Sequence, residues 1–347
     1  MTRTRASLLF LVLALAPAPY ALASQTNAGV DTSQFLLLGA GARSLGMGEA
    51  FGPIAEGPEA LYWNPAGLAQ TRSAESSYTH MEVFSVFHYD YIAHAQPVAW
   101  LGGTLGFSYA RLAQDPITVV SNANVPITQF TPQSNAFSVG YAHSFSLEGG
   151  EDKDRDYFRE AWEAPGSPHA FQQQREPWAG TFMVGLALKG ISESLYDHTA
   201  NAVALDGGIL FRPASFQQLS LSAAFQNAFG QEKFDQENFL LPVQFSVGAA
   251  YDQRWWQSRL LPAVELVMPY FGNPYAKVGI EYSKPVTRDV VVAMRAGFKT
   301  LTVSDLNAFS GVTCGLGLQY RKLSVDFGFE PMADLGEMYR FTAGWKW

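Results

Sequence analysis

Three stretches of the chain carry residue types that could do chemistry. Residues 151–163 read EDKDRDYFREAWE, and Asp152, Asp154, Asp156 and Glu163 mimic the ligand spacing of a calcium loop. Its sixth position, where such a loop turns sharply on glycine, is Tyr157, and no flanking helix pair is evident. A solvated charge run opening a short helix accounts for the same residues. His88, Asp90 and His94 share one face of an alternating segment. They could form a metal or proton site, or a polar network lining an enclosed lumen. Residues 39–69, GAGARSLGMGEAFGPIAEGPEALYWNPAGLA, open as a phosphate-binding loop would. A dinucleotide fingerprint needs a third small anchor and a crossover helix, and neither follows. No G-x-S-x-G nucleophile elbow occurs. The residues therefore predict no enzyme, no cofactor and no metal centre.

A packing role explains the glycine-rich stretch better. Glycine admits positive φ and close backbone approach, which suits Gly39, Gly41, Gly46, Gly48 and Gly67. Asn64 is placed to cap a helical turn that starts at Pro65 and Ala66. Short turns joined by glycines, with Tyr62 and Trp63 between them, would make a compact plug.

The elements that position these residues follow from composition and period. Arg3 and Arg5, an apolar run and Ala21-Leu22-Ala23 predict a cleaved secretory signal over residues 1–23. The chain holds 31 acidic and 23 basic residues, a formal charge of −8, which disfavours nucleic-acid binding. Charged residues make up 16%, against roughly 25% in soluble domains. The lone cysteine, Cys314, excludes an intrachain disulfide. Few charges, 14% aromatics and 31 glycines suit a protein with an apolar exterior.

The dominant signal is a period of two. In the last ten residues Tyr339, Phe341, Trp345 and Trp347 oppose Arg340, Thr342, Gly344 and Lys346. The same alternation recurs in about fourteen segments, which predicts an all-β transmembrane antiparallel barrel of about 14 strands. Residues 24–73 would form the N-terminal luminal plug and 74–347 the barrel. An even strand count puts both ends of the wall on the periplasmic side, so residues 113–134 and 300–311 fall in outer loops. By phase the lumen holds Asp90, Lys189, Asp206, Arg212, Glu265, Lys277, Glu281, Arg295, Arg321, Asp326 and Arg340. Charges of both signs in a dry lumen must pair. Leu45, Met47, Phe51, Leu61 and Trp63 would line an apolar ligand pocket beside the plug.

GARSLGMGEAF…EALYWNPAGLA resembles the N-terminal signature of the PorV/PorQ-type outer-membrane proteins, a branch of the FadL-like barrels. The resemblance continues through ALDGGILFRP, LSLSAAFQNAFG, LPVQFSVGAAYD, VGIEYSKP, VAMRAGF and the closing GLGLQYRKLSVDFGFEPMADLGEMYRFTAGWKW. It implies a 14-stranded barrel in the outer membrane with its N-terminal segment folded into the lumen. The aromatic end, Tyr339, Phe341, Trp345 and Trp347, resembles the signal read by the barrel-assembly machinery. Two positions depart from the family pattern. Glu49 replaces a small residue, and Glu56-Gly57-Pro58-Glu59 stands where aspartates are usual. Two functions follow as expectations. One is a PorV-like carrier that binds the C-terminal domains of exported proteins in type IX-like secretion. The other is a FadL-like channel for long-chain fatty acids or other hydrophobic small molecules. Outer-membrane lipid is a partner in both.

Overall fold

Burial along the chain runs opposite to that of a soluble protein. In the segment GLALKG, Leu188 is 58% exposed and its neighbour Lys189 only 5%. Strand side chains alternate between faces, so apolar residues look outward and polar ones inward. The computed structural model describes residues 31–83, 86–146, 180–196, 198–234, 237–301, 303, 308–333 and 336–347. The expected signal peptide and the calcium-like 151–163 stretch lie outside these residues.

The wall is a closed antiparallel barrel of 14 strands. They are β1 (Glu75–Val83), β2 (Phe87–Val98), β3 (Gly103–Gln114), β4 (Gln133–Ser146), β5 (Gly180–Leu195), β6 (His198–Pro213) and β7 (Leu219–Ala228). Then follow β8 (Gln244–Tyr251), β9 (Ser258–Pro269), β10 (Tyr275–Pro285), β11 (Val290–Lys299), β12 (Val312–Tyr320), β13 (Leu323–Pro331) and β14 (Glu337–Lys346). Every strand pairs with its sequence neighbour. The ring closes where β1 meets β14, from Glu75↔Lys346 to Val83↔Met338. Closure leaves no unpaired strand edge, which hydrocarbon would not tolerate. Among the described residues no helix is long and apolar enough to cross a membrane.

Two hairpins stand beyond the wall on the rim opposite the C terminus. One joins β3 to β4 (Ile117–Val120 with Pro126–Phe130), the other β7 to β8 (Gln231–Phe234 with Glu237–Leu240). The outer belt is bulky: Phe137, Leu186, Val203, Met294, Leu316 and Phe341 are all exposed. Cys314 lies on the same face.

The chain enters at the hairpin rim, where Thr32 N–H donates to the Leu240 carbonyl at 3.1 Å. Residues 34–70 then fold as short turns inside the ring. These are 3-10 turns at Gln34–Leu37, Gly52–Ile54 and Pro65–Gln70, and helical turns α1 (Ala42–Gly46) and α2 (Ala60–Trp63). Helices this short are not stable alone. Burial of Leu45, Met47, Phe51, Leu61 and Leu68 in one continuous core with wall residues holds them.

Candidate functional site

The boundary between plug and wall is built differently on its two sides. On one side the inward positions of the wall strands read charge, glycine, charge. They are Lys277, Gly279 and Glu281 on β10, Arg295, Gly297 and Lys299 on β11, and Asp326, Gly328 and Glu330 on β13. The registers align Gly279 with Gly297 and place Glu281 beside Arg295. The result is a glycine groove between two charged layers, and α1 with the turn after it lies in that groove. A Cβ on Gly297 would stand 2.0 Å from the Gly48 nitrogen and 2.4 Å from the Met47 carbonyl carbon. Gly48 itself holds φ +61° while its N–H donates to Thr313 Oγ1 at 2.9 Å.

The charged layers then lock the plug. Toward the C-terminal rim, Arg43 grips Glu281 with Nε at 2.7 Å and Nη2 at 3.0 Å, and also reaches Glu56. Arg295 bridges the same Glu281 (2.7 Å) to Asp326 (2.6 Å). On the other flank, Lys299 pairs with Glu330 at 2.8 Å and Glu49 at 3.6 Å. Arg340 is fully buried; it lies 3.5 Å from Glu49 and donates to the Gly41 carbonyl at 3.1 Å. Glu265 accepts the Gly52 N–H at 2.9 Å, and the Lys277 ammonium sits 4.9 Å from the Trp63 ring centre. Such pairing is what makes burying these charges tolerable.

Across the lumen the lining changes. The inward faces of β2 to β5 present Tyr89, Tyr91, Ala110, Ala136, Ala187 and Ile191, all buried. Tyr91 meets Tyr62 of the plug edge-on, ring centres 6.1 Å apart. A gap of about 20 Å³, room for one water-sized molecule, opens here among Phe35, Leu36, Leu61, Tyr62, Tyr89 and Tyr91. Lys189 on this side is held by Asp206 at 2.8 Å and Asn227 at 2.7 Å.

Asn64 leads into the plug's last turn. Its Oδ1 accepts the Ala66 N–H at 3.1 Å, capping the turn that starts at Pro65. Its Nδ2 donates to the Ile209 carbonyl of β6 at 3.2 Å. Tyr62 and Trp63 tie the plug to itself, through Tyr62 Oη to Leu36 O and Trp63 Nε1 to Ala40 O, both at 2.7 Å.

Most residues expected in the lumen are there: Asp206, Arg212, Glu265, Lys277, Glu281, Arg295, Asp326 and Arg340. Two are not. Asp90 faces outward on β2, where Tyr78 Oη donates to it at 2.6 Å and His80 Nδ1 lies 2.9 Å away. The phase of β2 is the reverse of that expected. The interior here is a packed plug rather than water, so Tyr89 and Tyr91 fill it and His88, Asp90 and His94 turn out. His94 then meets Ser76 across the strands at 2.9 Å. Arg321 sits in the exposed turn between β12 and β13 at φ 53° and pairs with Asp289 at 3.3 Å. A turn residue belongs to neither stripe.

Of the five expected pocket residues, Leu61 borders the gap, while Leu45, Met47, Phe51 and Trp63 are packed in the plug core. The sequence reading did not single out Tyr89 and Tyr91, nor Arg43, the partner of Glu281 and Glu56. The repeated pattern KVGIE, RAGFK and DFGFE was the available signal for the charged groove. Tyr339, Phe341 and Trp345 face outward; the rings of Phe341 and Tyr339 lie 5.0 and 6.2 Å from that of Phe327, centre to centre.

No family model matches the chain, and no curated protein matches it in sequence. Solved barrels do match in shape. A FadL homologue of Pseudomonas aeruginosa is 9% identical, covering 92% of this chain and 100% of that one, with a TM-score of 0.48. The toluene transporter TbuX of Ralstonia pickettii is 13% identical, covering 89% and 98%, with a TM-score of 0.48. The toluene transporter TodX of Pseudomonas putida is 11% identical, covering 88% and 96%, with a TM-score of 0.39. These are similarities of barrel shape alone. At such identities they assign no ligand to this chain.

Proposed function

We propose that the protein is a non-enzymatic outer-membrane conduit for hydrophobic small molecules, opened when the plug parts from β2–β5 while staying fixed to β9–β14. The unequal lining of the lumen supports this reading. On the charged side every separation would strand buried ions, at a cost of several kcal/mol each. On the other side separation exposes aromatic rings and alanines, which an apolar solute can cover in place of the plug. Specific sites for small molecules are mostly apolar with a few polar groups to orient the ligand. Tyr62, Tyr89, Tyr91 and Ser108 supply that combination around the gap.

Filling the gap tests it. Ala136→Phe should cut uptake of oleate and of toluene about tenfold or more, as expected when solute and side chain compete for one space. The assay uses Gram-negative cells whose own channel for such solutes is deleted. Heat-modifiable gel mobility would confirm that the variant barrel still forms. Uptake by the variant at the level of the parent protein would refute the route.

A second reading is the PorV/PorQ-like carrier of exported polypeptides in type IX-like secretion. The hairpin at residues 117–130 favours it, because Ile117, Val120, Val125 and Ile127 stand exposed beyond the wall. Mass spectrometry after mild detergent extraction separates the two. Retained lipid or hydrocarbon supports the conduit, and a retained secreted polypeptide supports the carrier.

A further inference from the structure

The outward face of the wall is not uniform. Among the described residues, the outward positions of β5 to β14 carry no Asp, Glu, His, Lys or Arg, apart from Lys284 and Glu337 near strand ends. Leu188, Val203, Val247, Val278, Met294 and Leu316 represent this face, and all are exposed. Strands β1 to β3 differ. Their outward residues include His80 and Glu82 on β1, His88, Asp90 and His94 on β2, and Arg111 on β3. The register places His80 beside Asp90, and Asp90 beside Arg111. The rings of His80 and His88 lie nearly parallel, with centres 6.5 Å apart. β1 has nine residues, about the length that crosses the hydrocarbon of a bilayer. His80, its sixth residue, therefore sits near mid-height.

On the reading that this barrel spans the outer membrane, these groups would meet acyl chains. Ionised side chains on the lipid face of a barrel are destabilising, most of all near the bilayer midplane. Charges held at such depth face other protein or water rather than lipid. The stripe carries its own complement. Asp90 and Arg111 are neighbours of opposite sign in one row of the sheet. A two-fold axis parallel to the barrel axis and passing between β2 and β3 sets Asp90 of each copy against Arg111 of the other. An isologous contact of this kind needs only one self-complementary patch. Ile92 and Tyr109 pair in the next outward row and are both exposed, so they add apolar contact on the same axis. We infer that a second copy of this chain covers β1–β3 within the membrane, so that two upright barrels pair along this stripe.

The test is thiol cross-linking of the full-length protein, reconstituted at high dilution in phosphatidylcholine vesicles. Cys314→Ser first removes the lone native thiol. On that background Ile92→Cys places a thiol at the axis, and Met294→Cys places one elsewhere on the wall. Copper-phenanthroline oxidation should link Ile92→Cys into dimers about tenfold or more faster than Met294→Cys, because paired copies hold the axial thiols at a high effective concentration. Arg111→Asp sets four acids at the axis and should raise the dimer dissociation constant about tenfold or more in sedimentation equilibrium, as like charges do across an interface. Combining it with Asp90→Arg restores the pairing in reverse and should recover part of the loss. Heat-modifiable mobility and vesicle insertion are read first for every variant. A barrel that inserts but stays monomeric would overturn the dimer and leave the membrane reading standing; failure to insert would overturn both. Equal linking of the two cysteine variants would overturn it as well, since only chance collision would then be seen. So would links in cells from Ile92→Cys to a different membrane protein with none between copies, which would give the stripe to that partner.

Discussion

Glu281→Gln should loosen the plug more than any other single conservative change in the lumen. The Glu281 side chain is 4% exposed and accepts from two guanidinium groups, those of Arg43 and Arg295, with Arg259 3.9 Å away. Glutamine keeps its volume and one acceptor but removes the charge that three arginines face. Breaking a buried ion pair by removing one partner costs roughly 3–5 kcal/mol, because the other charge stays buried and uncompensated. Here the lower end, about 3 kcal/mol, is expected. Arg43 keeps Glu56 and Arg295 keeps Asp326. Reversible urea unfolding in lipid vesicles would measure the loss. Planar-bilayer recording would show the consequence, because Arg43 is the plug's side of the lock: the variant should conduct in bursts where the parent protein is closed. Adding Arg43→Met to Glu281→Gln should restore part of the stability, since the stranded charge goes with it. The two changes must couple, because they act on one contact. Simple additivity of the two losses would show that the Arg43–Glu281 pair does not hold the plug.

How far the sequence foretold this site depends on how local each signal is. The wall was legible because a period of two is read within ten residues. GLALKG and FTAGWKW announce an apolar outside and a polar inside without knowledge of any neighbour. The plug was legible for a similar reason: Asn64-Pro65 and the spaced glycines state their own backbone needs. Partner identity was not legible. Arg43 finds Glu281 across a sequence separation of 238, and that meeting depends on the registers of β10 to β13 together with the depth at which α1 sits. Glu49 and Glu56, odd positions beside the resembling family, are explained by such partners. Glu49 answers Lys299 and Arg340, and Glu56 answers Arg43. The reversed phase of β2 has the same origin. HYDYIAH alternates cleanly, but its polar stripe fits an inner or an outer face by pattern alone. The aromatic plug edge at Tyr62, which is non-local, decides that Tyr89 and Tyr91 turn in.

Gly297→Ala should expel the plug from its groove while leaving the barrel intact. Alanine adds one carbon, and a strand normally gains from the change because glycine pays more conformational entropy. At this position the carbon would lie 2.0 Å from the Gly48 nitrogen and 2.6 Å from the Gly48 Cα. No flexible side chain can yield, since the opposing atoms are backbone. The plug backbone there is fixed by the Thr313 contact and by positive φ at Gly48. The wall cannot retreat either, because β11 is hydrogen-bonded on both sides, Gly297 lying between Gly279 and Thr313. Overpacking in a close-fitted interior costs about 1–3 kcal/mol where neighbours can shift, and more where they cannot. The cheaper outcome is displacement of residues 46–48, which pulls Arg43 from Glu281 and Glu49 from Lys299. Gly190→Ala is the matched control. Gly190 is also mid-strand, on β5, but a Cβ there meets nothing within 4 Å. Both variants should give heat-modifiable barrels. Only Gly297→Ala should admit a small hydrophilic dye into vesicles and expose the plug to added protease. A tight, protease-resistant Gly297→Ala protein would mean that the groove does not seat the plug, and the lock assigned to Glu281 would lose its footing with it.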